Sequence, residues 1–294
     1  MGQDVATYSV TALDGVAFGL LLFVVAAGLT LIFGVMDVLN LAHGTLYLAG
    51  AYLAYLLTDG SLLGLAAALA AGVALGAGGG AALSAALRPL TGRNHLDQAL
   101  VTLGLAFLAA DLFTTAFGAV PLPTAPPQLL AGSLELAGHG YPVYRLVFIV
   151  IAALIGLALH LAVQRTTAGV LLRATVSDPA MAAATGINAG RVRVTAMAAG
   201  GALAVVGGVL GAPLIGPGPG VDTTVLGLSL IVVILGGTGS IPGTLAAALL
   251  VGQIQTVGVL LAPAAAPFAL FGAMLLVLVV RGRPTTTTAT AAIA

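Results

Sequence analysis

The chain has 294 residues, of which 60% are hydrophobic and 6% charged, with a mean hydropathy of +1.17 and a formal net charge of zero. One soluble core cannot hide that much apolar surface behind a wettable exterior, so composition excludes an ordinary soluble enzyme and puts the chain in lipid. Nine arginines, no lysine and no cysteine exclude disulfides, thiolate metal sites, a thiol nucleophile and a P-loop lysine, and neutrality gives no electrostatic case for nucleic acid.

A hydrocarbon core of about 30 Å takes roughly 20 apolar residues per helix, which leaves room for about eight to ten spans. The apolar runs are continuous and rich in Ala and Leu, without the alternation of a barrel strand, so the expected class is all-α, a polytopic transmembrane helical bundle. Residues 1–14 carry Asp4 and Asp14 but no cation, unlike a cleaved secretory signal. Spans are expected near 15–35, 43–58 and 61–87, with a turn at Asp59-Gly60 and a basic loop around Arg88 and Arg93. A fourth near 97–118 opens a Pro-rich loop that closes at Pro142, and a fifth near 144–163 leads into a polar loop, 164–193. Spans near 194–212, 224–240, 243–262 and 267–280 follow. Glycines and prolines within 28–43 and 212–245 mark candidate broken or re-entrant segments lining a cavity. Residues 1–283 are read as one membrane domain and 284–294 as a disordered polar tail.

Eight of the nine arginines fall in 88–93, 165–193 and 281–283. The positive-inside rule then sets the N-terminus outside and the loops at 88–96 and 164–193, with the C-terminus, in the cytoplasm; only Arg145 is left outside. Gly72, Gly76 and Gly80 recur on one face of the third span, and Gly207 and Gly211 on the sixth. That spacing lets helices approach closely, within the chain or against a second subunit.

Polar groups inside spans are costly and therefore functional candidates. Asp37, Asn40 and His43 are the densest set. As helix they share one face at i, i+3 spacing; alternatively they form a short turn, with Asn40 as a cap and His43 at the interface. Asp111 lies well inside the fourth span, where it lines a pathway or pairs with Arg145. In 171–194, Ser177 or Asp178 caps a short helix that starts at Pro179, runs through 180–184 and ends at Gly186. So short a helix has little of its own to bury and is expected to dock on something. His43, His95, His139 and His160 are scattered without a carboxylate at i, i+4, so no metal site or cofactor is expected. No nucleophile, base and orienting group can be assembled, and the chain reads as a transport subunit rather than an enzyme.

Three blocks resemble the permease subunits of bacterial branched-chain amino acid ABC importers, in particular the high-affinity leucine/isoleucine/valine permease of the H type. The first is GLTLIFGVMDVLNLAHGTLYLAGAYLAY, with Asn40, Leu41, Ala42, His43 and Gly44. The second is RATVSDPAMAAATGIN, matching the family's cytoplasmic coupling loop at Arg173, Ala174, Asp178, Pro179, Ala182, Gly186, Ile187 and Asn188. The third is LGGTGSIPGTLAAALLVGQIQ, matching at Leu235, Gly236, Gly237, Gly239, Ser240 and Gly243.

The resemblance implies a multi-pass protein of the bacterial inner membrane that imports branched-chain or related amino acids. It also implies a second, related permease as heterodimer partner, two ATP-binding subunits that hydrolyse the ATP, and an extracytoplasmic solute-binding protein. The loops 119–143 and 212–224 would meet that binding protein, and the 37–43 region becomes pathway. Thr45 stands where the family often has an acidic residue, and the family's Gly-x-x-Glu reads Gly252, Gln253, Ile254, Gln255. Neutral groups there suit urea or short amides equally well, the alternative cargo within the family. An ATPase-independent channel or secondary transporter is the alternative from another class.

Overall fold

The computed structural model describes residues 2–36, 39–90, 94–136 and 138–281. The helices are α1 (Gly2–Met36), α2 (His43–Leu57), α3 (Leu62–Leu87) and α4 (His95–Phe117), then α5 (Val143–Arg165), α6 (Thr167–Ser177), α7 (Pro179–Ala184) and α8 (Ala189–Gly211). They end with α9 (Val221–Gly236), α10 (Ile241–Gln253), a π-helical turn (Ile254–Gly258), α11 (Val259–Leu261) and α12 (Ala266–Arg281). A two-stranded antiparallel hairpin, β1 (Ser133–Leu136) and β2 (His139–Pro142), pairs Ser133 with Pro142 and Leu136 with His139.

Among the described residues six helices are long and apolar enough to cross a membrane: 6–34, 62–90, 95–117, 143–165, 189–211 and 241–261. α9 and α12 are shorter apolar helices, and α2 has only 15 residues. The spans read from sequence keep their order, with three departures. α1 begins at Gly2, not near residue 15; at 35 residues it is about 52 Å long and overreaches a bilayer core. The loop 164–193 holds α6 ahead of the expected short helix α7, and the loop before Pro142 holds the hairpin. The expected tail at 284–294 lies outside the described residues.

α1 and α8 form the centre. Leu21, Leu22, Phe23 and Val25 of α1 are all but inaccessible, as are Met197, Ala204, Val205 and Val209 of α8. α4 and α5 instead present Leu100, Leu108 and Leu112, and Val150, Leu154 and Leu157, outward, the all-round apolarity of helices that meet lipid. Helices in lipid associate through close packing of small residues rather than by burying oil from water. Gly76 and Gly201 face each other, and a Cβ on either would lie 2.4 or 2.3 Å from the other's carbonyl oxygen. Gly72 and Gly80 meet Val205 and Met197, while Gly207 and Gly211 meet Val25 and Leu21. Both glycine stripes therefore serve packing within this chain.

These contacts also order the two ends of the bundle. Gly28 meets Gly200, Gly207 meets Val25 and Gly19 meets Ala248, so α1 runs antiparallel to both α8 and α10. One end gathers Arg88, Arg165, Arg173, Arg191 and Arg193 with α6 and α7; Arg145 lies at the other. At that second end three connections join. Gln128 N–H donates to Gly60 C=O (2.7 Å), and Leu122 N–H donates to Pro217 C=O (2.8 Å).

Candidate functional site

Two helices begin inside the bundle rather than at its ends. His43, at the start of α2, is level with Val25 and Gly28, two turns before α1 finishes. Gly44 lies against the Asp222 carbonyl and Leu226, while Pro219 and Gly220 sit beside Leu48 and Tyr52, so α9 starts about a turn or two inside the end at which α2 stops. Irregular backbone at that depth is stable only where protein or a cavity satisfies it. These are the broken segments expected around 28–43 and 212–245.

The α1–α2 joint is a buried turn. Residues 39–42 are not helical, so the two do not share a helix face, and neither is solvated: Asn40 is 1% exposed and His43 0%. Asn40 Oδ1 accepts from Ala42 N–H (3.2 Å) and its carbonyl accepts from His43 N–H (3.3 Å). Thr102 of α4, fully buried, clamps the turn: its hydroxyl accepts from Leu41 N–H (3.1 Å) and donates toward Leu39 C=O (3.3 Å) and Ala99 C=O (2.9 Å). His43 Nε2 lies 2.9 Å from the Val25 carbonyl. A carbonyl only accepts, so Nε2 carries the proton and Nδ1 is left as an acceptor without a partner. Asn40 Nδ2 and Thr45 Oγ1 near the start of α2, with Tyr47 Oη and Ser229 Oγ, are likewise buried without a hydrogen-bond partner among the described residues. Asp37 lies outside the described residues.

Toward the end carrying the 212–220 loop, α2, α4 and α9 border an open recess of about 320 Å³. Tyr52, Phe107, Asp111, Phe113 and Asp222 line it. Tyr52 stacks on Phe117 at 4.1 Å and tilts against Phe113 at 5.2 Å between ring centroids. Asp111 does not meet Arg145, whose guanidinium is bound to Asp14 of α1. Gln253 donates to Ala12 C=O (2.9 Å) and so braces α10 on α1, while Thr45 faces a separate apolar recess between α2, α3 and α4.

At the arginine-rich end the short helix α7 is closed at both termini. Asp178 Oδ1 accepts from Met181 N–H (2.9 Å) and Pro179 takes the first turn. Gly186, at φ 87°, ends it: Gly186 N–H donates to Ala183 C=O and Ile187 N–H to Ala182 C=O, each at 3.0 Å, the paired bonds of a Schellman motif. Ala182 packs inward and Met181 projects, 61% exposed. Arg173 points back to the Val163 carbonyl and secures α6 on the end of α5.

Thr102 and Asp222 escaped the sequence reading. A lone threonine in an apolar span carries no signal. Asp222 at a helix start reads as a surface residue unless the loop before it is known to fold inward.

The chain matches, over residues 11–280, the family described as branched-chain amino acid transport system / permease component. It belongs to that family. Among curated relatives, the high-affinity branched-chain amino acid transport system permease protein BraD of Pseudomonas aeruginosa is 27% identical over 268 residues, 87% of each chain. The permease protein LivH of Salmonella typhimurium is 27% identical over 259 residues, covering 82% of this chain and 83% of its own. LivH of Escherichia coli is 27% identical over 256 residues, covering 81% and 82%. No solved structure matches. Membership makes the chain a multi-pass membrane permease component, in keeping with its six long apolar helices.

Proposed function

We propose that this chain is a permease subunit of an ABC importer that carries branched-chain or related amino acids inward across the inner membrane. ATP is hydrolysed by two partner subunits, a second, related permease completes the pathway, and an extracytoplasmic protein delivers the solute. The N-terminus is outside, so the arginine-rich end is cytoplasmic and the joined loops at 118–142 and 212–220 face the binding protein.

The observation that carries this reading is α7, a six-residue helix capped at both ends and exposed beside the arginines. A helix this short is not stable by itself; with caps at both ends and Ala182 packed inward, it moves as one rigid piece. Closure of the ATPase dimer pushes α7, and α6 and α8, continuous with it, pass the push to the core as a rigid-body rearrangement. Asp178, Pro179, Ala182, Gly186 and Ile187 form the contact element, and Arg173 anchors it. Asn40 and His43, at the broken joint, and Asp111 line or border the path.

The test is uptake of labelled leucine and urea by cells lacking the chain and complemented with it, alongside identification of co-purifying proteins. Leucine uptake that depends on co-purifying ATPases is expected; urea uptake would select the amide alternative, and flux through the purified chain alone would select a channel. Gly186→Ala, which forces a side chain into the left-handed region, and Asp178→Ala should each lower uptake at least about tenfold at unchanged membrane abundance. Normal uptake in both would sink the coupling assignment.

A further inference from the structure

The cavity between α2, α4 and the start of α9 is lined by two carboxylates and by no cationic side chain. Asp222 is 5% exposed, and its carboxylate makes no hydrogen bond or ion pair with another described residue. Asp111 makes none either, and the arginine at this end of the bundle, Arg145, is already held by Asp14. Tyr52, 2% exposed, closes one wall beside Asp222. An uncompensated carboxylate as buried as that of Asp222 is expensive. Asp222 lies in the first turn of α9, whose helix dipole offsets part of its negative charge; Asp111, exposed at the rim on α4, adds a second negative charge, and no cationic side chain lines the recess. The missing component is about one positive charge, small enough for ≈ 320 Å³ and carried on a body that tolerates Leu48 and Phe107.

We propose that this cavity is a cation-recognition subsite on the translocation path, where Asp222 and Asp111 receive the ammonium group of the transported solute beside the Tyr52 ring, and Leu48 and Phe107 take its aliphatic body. This rests on the importer reading and deepens it. It gives the chain a means to prefer amino acids to urea or amides, which lack the ammonium. The neutral residues Thr45 and Gln255 then do not set the charge of the cargo, because the carboxylates come from α4 and α9.

Since the chain has no cysteine, Thr223→Cys puts a single thiol on the cavity wall with both carboxylates intact. In the purified complex, a trimethylammonium methanethiosulfonate should react with it at least about tenfold faster than the sulfonate analogue, relative to a free thiol, the scale of one charge interaction at an effective dielectric near 20. That preference should vanish when Asp111→Asn and Asp222→Asn are added. A ratio equal to the free thiol's overturns the subsite. In cells, Asp222→Asn should cut leucine uptake at least about tenfold while membrane abundance, subunit composition and binding-protein-stimulated ATP hydrolysis persist. Unchanged leucine uptake overturns the proposal, as does loss of the second permease from the Asp111→Asn complex, which would make the carboxylates an intersubunit ion pair. If the unmodified complex carries no leucine, the amino acid reading fails by itself, and the thiol rates still decide whether the cavity selects cations.

Discussion

Alanine at Gly80 should force α3 away from α8, whereas alanine at Gly78, half a turn earlier on the same helix, should not. A Cβ at Gly80 would stand 2.0 Å from the Met197 carbonyl oxygen and 2.6 Å from its carbon, both backbone atoms that no rotamer change can move. Comfortable non-bonded separations to carbon are about 3.5 Å, so α3 must withdraw by about 1.5 Å there, which loosens the Gly76–Gly201 contact one turn away. Overpacking of this kind costs about 1–3 kcal/mol. At Gly78 a Cβ meets nothing within 4 Å, and alanine gains up to about 1 kcal/mol of helix propensity. The two variants should differ by about 2 kcal/mol, a factor of roughly 30 in the folding equilibrium. Circular dichroism of the purified protein during SDS titration in mixed micelles reads the difference as an earlier midpoint for Gly80→Ala. A Gly80→Ala protein as stable as Gly78→Ala would refute the argument that backbone contact, rather than side-chain packing, holds α3 on α8.

Thr102→Val keeps the shape of the clamp but strands the buried Leu41 N–H; a loss of about 1–2 kcal/mol is expected in the same titration, and no loss would mean the turn is satisfied in another way. The Arg145–Asp14 pair is about a third exposed on both sides (36% and 31%), so Arg145→Gln should cost no more than about 1 kcal/mol, and less in high salt. Gly169→Ala places a Cβ 2.1 Å from the Val163 carbonyl oxygen, which should dislodge α6 from the end of α5. Limited proteolysis should then cut 166–188 faster; cleavage at the unmodified rate would argue against that anchoring.

Some of this molecule was legible along the chain because its causes are local. A run of apolar residues long enough for lipid makes a helix wherever it stands. The Asp178-Pro179 start and Gly186 stop of α7 are set by bonds spanning three to five residues, and four-residue glycine spacing marks a helix face before its partner is known. What the chain could not disclose is depth and partnership. Asn40 and His43 read as either a helix face or a short turn with His43 at the interface, and they lie in a buried turn because Val25 and Thr102, 18 and 61 residues from their bonding partners, receive it. Arg145 took Asp14, 131 residues away, instead of Asp111. Asp222 became a cavity residue because the 212–220 connection folds inward against α2 and α4. Hydrophobic length and capping are settled within a few residues, so sequence determines the helices; which polar groups meet inside depends on how those helices pack, and only the tertiary structure decides that.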